Sequence, residues 1–156
     1  MPSSNTPSSI TPPTQTPRQA LDAWLARTDW TLHTDAINAV ETISAFSEGV
    51  RAVDKSQLRA VVNTAKVCNN HGTLRRFINH RAERREKANQ EDKAAFWRAL
   101  ADRLSHIKDT YVPDAEQAIE QLTATPHDLS EPELMRIVRA YFGHLIAHCH
   151  LRASKS

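Results

Sequence analysis

The stretch "EPELMRIVRAYFGHLIAHCHL", Glu131 to Leu151, decides the fold. Its apolar residues Leu134, Ile137, Val138, Tyr141, Leu145 and Ile146 recur every three or four positions, the spacing of one buried helix face. Ser130 and Glu133 make an S-x-x-E capping box just before it, and Pro132 falls in the first turn, where proline is tolerated. Arg136, Arg139 and Gly143 lie on the other side of this helix, open to a neighbouring copy or to nucleic acid. A helix this long and this apolar on one face needs partners of the same kind.

The rest of the chain offers them. "RQALDAWLART" aligns Leu21, Trp24 and Leu25 as a first helix. "TDAINAVETISAFSEGV" repeats the spacing through Ile37, Val40 and Phe46, with Gly49 as its stop. Asp54 and Gln57 read as a capping box for a third helix, buried through Leu58, Val61, Val62, Ala65 and Cys68. "NNHG" ends it, with Gly72 as the break. Leu74, Phe77 and Ile78 anchor a fourth helix. A fifth carries Phe96, Trp97, Leu100, Leu104 and Ile107 from about Glu91 to Tyr111. Pro113 interrupts it, and "DAEQAIEQL" continues as a short acidic helix. No segment alternates with a period of two, and three glycines are too few for hairpins or phosphate loops. The expected class is all-α: a single compact bundle of about six or seven helices over residues 18–153.

Residues 1–17, "MPSSNTPSSITPPTQTP", form a separate Ser/Thr/Pro-rich zone with almost nothing to bury, and read as a disordered tail. The 156 residues suit one domain. No apolar run approaches the roughly 20 residues of a membrane span. The N-terminus lacks the pattern of a secretory signal. Cys68 and Cys149 make no disulfide framework, so a cytoplasmic location is expected.

Charge is distributed unevenly. The whole chain nets +2, yet residues 51–87 hold ten Lys/Arg against three Asp/Glu. "RRFINHRAERREK", Arg75 to Lys87, holds six of those cations: Arg75, Arg76, Arg81, Arg84, Arg85 and Lys87. Arg76, His80, Arg84 and Lys87 line one helix face, and Arg59, Asn63, Lys66 and Asn70 line the outer face of the preceding helix. Three readings are open: a solvated basic face balanced by Glu83 and Glu86, a track for a phosphate backbone, and a nuclease motif. Repulsion among Arg81, Arg84 and Arg85, and the preference for arginine with its planar fork, favour the phosphate track. Arg75-x4-His80 and Arg139-x4-His144 share the spacing of HEPN-type ribonucleases. Neither has the polar residue that follows the arginine in that family, since Arg76 and Ala140 stand there. A helical DNA-binding regulator is a further alternative.

"HLIAHCH" suggests metal ligation, because His144 and His148 are four residues apart. The glutamate of a catalytic zinc helix is missing, with Leu145 in its place, and His148 and His150 fall on opposite sides of the helix. "CNNH" (Cys68, His71) adds no clean ligand pair. No metal or cofactor is expected, and no catalytic constellation stands out.

"DKSQLRAVVN", residues 54–63, resembles the start of a helix in the small α-helical subunit of type III-A CRISPR interference complexes, the Csm small subunit. Ser56, Gln57, Leu58 and Arg59 carry the likeness. "YFGHLIAHCHL" is similar to that family's closing helix through Phe142, Leu145, Ile146 and Ala147, and departs from it at His148 and His150. The family's central Tyr-then-Gly-Arg feature is replaced by "HIKDTYVPDAE". The resemblance implies a non-enzymatic subunit that lines the duplex of crRNA and target RNA. Its partners would be larger backbone subunits and neighbouring copies of itself. Arg59, Lys66, Arg75, Arg76, Arg81, Arg84, Arg85 and Lys87 are the candidate RNA-binding residues.

Overall fold

The structure, a computed structural model, describes residues 15–51 and 53–154. Residues 1–14 of the expected tail lie outside the described residues. Six α-helices and no strand are found among the rest: α1 (Pro17–Thr42), α2 (Ser44–Ser47), α3 (Lys55–Val67), α4 (His71–Lys87), α5 (Glu91–Thr123) and α6 (Glu131–Ser154), with a 3₁₀ turn at Gly49–Arg51. The chain is an all-α bundle, as its periodicity predicts. No described helix is long and apolar enough to cross a membrane.

The helices are divided differently from the expectation. The first two predicted helices are one, α1, which starts with a capping box between Thr16 and Gln19 and with Pro17 in its first turn. Thr16 and Pro17 therefore belong to the bundle and not to the tail. Between Arg18 and Thr42 there is no glycine or proline, and Leu32 and Ala36 continue the buried stripe of Leu21 and Trp24. Within "TDWTLHTD" Leu32 is buried, while Asp29, Trp30, Thr31 and Thr34 are exposed on the outward side of that same helix.

Pro113 does not interrupt α5, which runs unbroken for 33 residues, about 50 Å at 1.5 Å per residue. Buried Ile107, Tyr111, Ala115, Ala118 and Ile119 straddle the proline on the opposite, inward face. The proline is exposed, so the carbonyl it leaves unbonded can turn to water. Helix α5 ends at Ala124 in a left-handed conformation (φ 61°). Gly72 does not break the chain either. Cys68–Asn70 make the break, Asn70 caps α4 by accepting from the Thr73 N–H at 3.1 Å, and Gly72 lies in the first turn.

Helix α5 is the spine. Helix α4 runs antiparallel along its first half, as the Arg75–Ser105 and Arg98–Glu86 contacts fix. Helices α1 and α6 run parallel to each other beside it, with Asp22 bonded to Arg136 and Glu41 to His148. Phe46, Phe96 and Trp97 stack edge to face at 5.5 and 5.9 Å in the core. All six residues expected to bury α6 are buried, as are Met135, Phe142 and Cys149. A polar cluster crosses this core: the Asp35 carboxylate accepts from Tyr111, from Tyr141 at 3.1 Å and from His106 at 2.7 Å. It ties α1 to α5 and α6.

Candidate nucleic-acid interface

Helices α3 and α4 form a hairpin whose outer surface carries the basic segment. Asp54 caps α3 by accepting from the Gln57 N–H at 3.0 Å. The second half of the expected capping box is absent, because the Gln57 side chain accepts from Arg81 at 2.6 Å instead. That bond joins the start of α3 to the middle of α4.

The residues of the two predicted rows are exposed: Arg59, Asn63 and Lys66 on α3, and Arg76, His80, Arg84 and Lys87 on α4, while Asn70, expected to end the first row, lies past α3 as the cap of α4. Arg75, Arg81 and Arg85 are half-buried and play a different part. Arg75 donates to the Ser105 hydroxyl at 2.6 Å, and Arg85 to the Gln90 side chain at 2.9 Å. Arg81 lies over the rings of Phe77 (4.8 Å) and Trp97 (5.4 Å). Burial, and then the charges of Arg85 and Arg84, push its guanidinium below the usual arginine range.

None of the eight candidate residues forms an ion pair with a described carboxylate. The contrast lies elsewhere in the molecule: Arg98 pairs with Glu86, Arg103 with Asp35, Arg136 with Asp22 and Arg152 with Glu41. Glu86, expected to balance the basic helix, is held by α5. Helix α4 thus carries its charge against neutral partners, Ser105, Gln57, Gln90 and the Thr73 hydroxyl that Arg76 reaches at 3.2 Å. Gln57, Arg81, Arg84, Arg85 and Ala88 enclose a cavity of about 240 Å³, open to the surface and walled by three guanidinium groups. A broader cleft, about 610 Å³, lies along α4 between Arg76, Phe77, Asn79, His80 and Glu83.

Sequence reasoning missed His150. It lies in the field of Arg59 and Lys55, and burial, then those two charges, hold its imidazole below the ordinary histidine value. It brings an imidazole of α6 beside the basic face, and only the packing of α6 against α3 reveals it. Arg136 and Arg139 do not lie open as expected. Arg136 is bonded to Asp22 at 2.5 Å, and Arg139 is half-buried, donating to the Ala65 and Cys68 carbonyls at 3.4 Å each. Those carbonyls are unpaired ends of α3, so Arg139 closes that helix.

The two Arg-x4-His pairs are not brought together. Arg75 turns inward to Ser105, while His80 faces the outer cleft; Arg139 reaches α3, while His144 bonds to Asp29 at 2.9 Å. The donors of "CNNH" and "HLIAHCH" also stay apart. The His71 ring meets the Leu104 carbonyl at 3.4 Å, and Cys149 is buried, its thiol pushed up to about 12 by desolvation. Among the described residues no group of three or more His, Cys, Asp or Glu side chains is placed to hold a metal ion. No known protein family, curated protein or solved structure matches this chain.

Proposed function

We propose that the chain is a non-catalytic RNA-binding protein that holds a phosphate backbone along α3 and α4, without reading sequence. The observation that carries this reading is that none of the eight candidate residues has a carboxylate partner among the described residues, while Arg98, Arg103, Arg136 and Arg152 elsewhere are each paired. Unpaired guanidinium groups on a rigid helix suit bidentate contact with phosphate. Arg59, Lys66, Arg76, Arg84 and Lys87 make the direct contacts. Arg75, Arg81 and Arg85 add charge from a fixed position. Helices without base-reading loops suit contacts to phosphates and 2′-hydroxyls.

The more specific assignment is the small subunit of a cytoplasmic type III CRISPR complex, lining the crRNA–target RNA duplex beside backbone subunits and copies of itself. It rests on the likeness at Ser56, Gln57, Leu58 and Arg59 and in the closing helix. A titration of fluorescent RNA homopolymers at several salt concentrations tests the binding mode. Log affinity falls with log salt at roughly −0.7 per phosphate neutralised on a single strand, equally for different homopolymers, and the RNA stays intact. Salt-independent binding, a strong base preference or RNA cleavage lost in His80→Ala would replace this reading with another.

A further inference from the structure

The seam between α1 and α6 holds a pair of imidazoles that the basic face does not use. His33 and His144 present their Nδ1 atoms to each other at 3.2 Å. The rings meet edge to face, with centroids 4.8 Å apart and planes at 77°. The other nitrogen of His144, Nε2, lies 2.9 Å from a carboxylate oxygen of Asp29.

A histidine bonded through Nε2 to a carboxylate keeps its proton there. The Nδ1 of His144 is left with a lone pair aimed at His33. With no ion between them, His33 must fill that contact with an Nδ1–H. The same spacing has a second use. Two Zn–N bonds of about 2.0–2.1 Å, meeting near the tetrahedral angle, set their nitrogens about 3.1–3.4 Å apart. Asp29 stands where a carboxylate fixes the tautomer of a metal-bound histidine and raises its basicity.

We propose that His33 and His144 form an open, two-imidazole site for a borderline divalent cation such as Zn²⁺ or Cu²⁺, with water completing the coordination shell. Imidazole donors select these ions over Mg²⁺ and Ca²⁺. The cation takes the Nδ1 lone pair of each ring. The proton of His33 moves through solvent to its own Nε2, which has no hydrogen-bond partner among the described residues. Both rings bind the cation as neutral imidazoles. His148, one turn from His144, takes no part, because its Nε2 is bonded to Glu41 at 2.7 Å. The site thus differs from the His144–His148 pair suggested by their spacing in sequence.

Trp30 provides a local reporter. It is 74% exposed, and its ring lies 5.2 Å from that of His33, while Trp24 and Trp97 are buried. The test titrates the full-length protein with Zn²⁺ by calorimetry and with Cu²⁺ by tryptophan emission, for wild type, His33→Gln, His144→Gln and His148→Gln. Wild type binds one equivalent of Zn²⁺, and Cu²⁺ quenches the solvent-exposed part of the emission. His33→Gln and His144→Gln each weaken Zn²⁺ binding at least tenfold and abolish that quenching, while His148→Gln stays within twofold. His33→Gln is decisive if His144→Gln fails to fold, because the ring of His33 is hydrogen-bonded to His144 alone among the described residues. No saturable Zn²⁺ binding by wild type, an unchanged affinity in His33→Gln, or an equal loss in His148→Gln would overturn the proposal.

Discussion

At the scale of single residues, Arg81 and Arg84 show how neighbours of one type divide the work. Arg84 is exposed, and no other side chain among the described residues is bonded to it. Arg81 is half-buried, bonded to Gln57 and stacked between Phe77 and Trp97. Arg84→Ala is expected to weaken RNA binding several-fold and leave the melting temperature within about 1 °C, since surface changes cost little. Arg81→Ala is expected to weaken binding and also to cost about 1–2 kcal/mol of stability, from the lost hydrogen bond and cation–π contacts. Chemical denaturation beside RNA titration separates the two. Equal effects of the two substitutions on stability would contradict the division.

Asp35 sets a second expectation. Burial pushes its carboxyl up, but the Tyr111 and His106 hydrogen bonds, the His106 charge and the Tyr141 hydrogen bond outweigh burial and hold it below its ordinary 3.8. A lowered folded value means that the carboxylate contributes stability above the unfolded value, and that this is lost as pH falls through the folded one. Wild type is therefore expected to lose stability below about pH 4. Asp35→Ala leaves two tyrosine hydroxyls and the Arg103 guanidinium short of an acceptor. Arg103 Nε is already buried without a partner. The cost is expected at about 3 kcal/mol at neutral pH, with a flatter pH dependence between pH 4 and 2. Denaturant midpoints across that range check both parts. An acid profile for Asp35→Ala that matches wild type would sink this account.

At the scale of elements, the buried faces were legible, and so were the helix starts at Asp54, Glu91 and Ser130, but the other boundaries were not. Leu134 to Ile146 and Phe96 to Ile107 announce their faces by spacing alone, and every one of the residues expected there is buried. The boundaries depended on local punctuation that tertiary packing overrides. "TDWTLHTD" looks like a loop, but Leu32 within it and Ala36 just after it find the core and hold α1 together. Gly72 looks like a stop, but Asn70 caps the next helix before it. The basic rows were legible because Arg59, Lys66, Arg76 and Arg84 repeat at helical spacing. The inward turn of Arg75 and Arg81, and the arrival of His150 beside Arg59, depend on which helices touch, which spacing within one helix does not encode.

Pro113 is the clearest case. Proline costs a helix interior about 3 kcal/mol relative to alanine. Helix α5 continues because Tyr111 and Ala115 on either side are buried, and because Asp114 accepts from the Trp24 indole at 2.8 Å. Pro113→Ala is then expected to stabilise the protein by about 1–3 kcal/mol, raising the melting temperature by about 3 °C or more. A neutral or destabilising result by calorimetry would mean that the proline is matched to a bend that α5 needs.

At the scale of the whole molecule, charge is segregated. Among the described residues, the cations of α3 and α4 have no ion-paired acid. On the other flank, acids of α1 are taken up by α6: Asp22 by Arg136, Asp29 by His144, and Glu41 by His148 and Arg152. The second half of α5 adds Asp109, Asp114, Glu116 and Glu120. If the proposed function holds, a near-neutral protein so divided presents one face to a polyanion and the field orients the encounter. On the proposed reading, the basic face sets both the affinity for RNA and its salt dependence. The most direct measurement is the salt slope of RNA binding for wild type against a variant carrying Arg76→Gln, Arg84→Gln and Lys87→Gln together. The account expects the variant to fold with an unchanged melting temperature, bind at least tenfold more weakly at low salt, and lose about two units of slope, since each phosphate contact removed takes roughly 0.7. A folded variant with wild-type affinity and slope would contradict it.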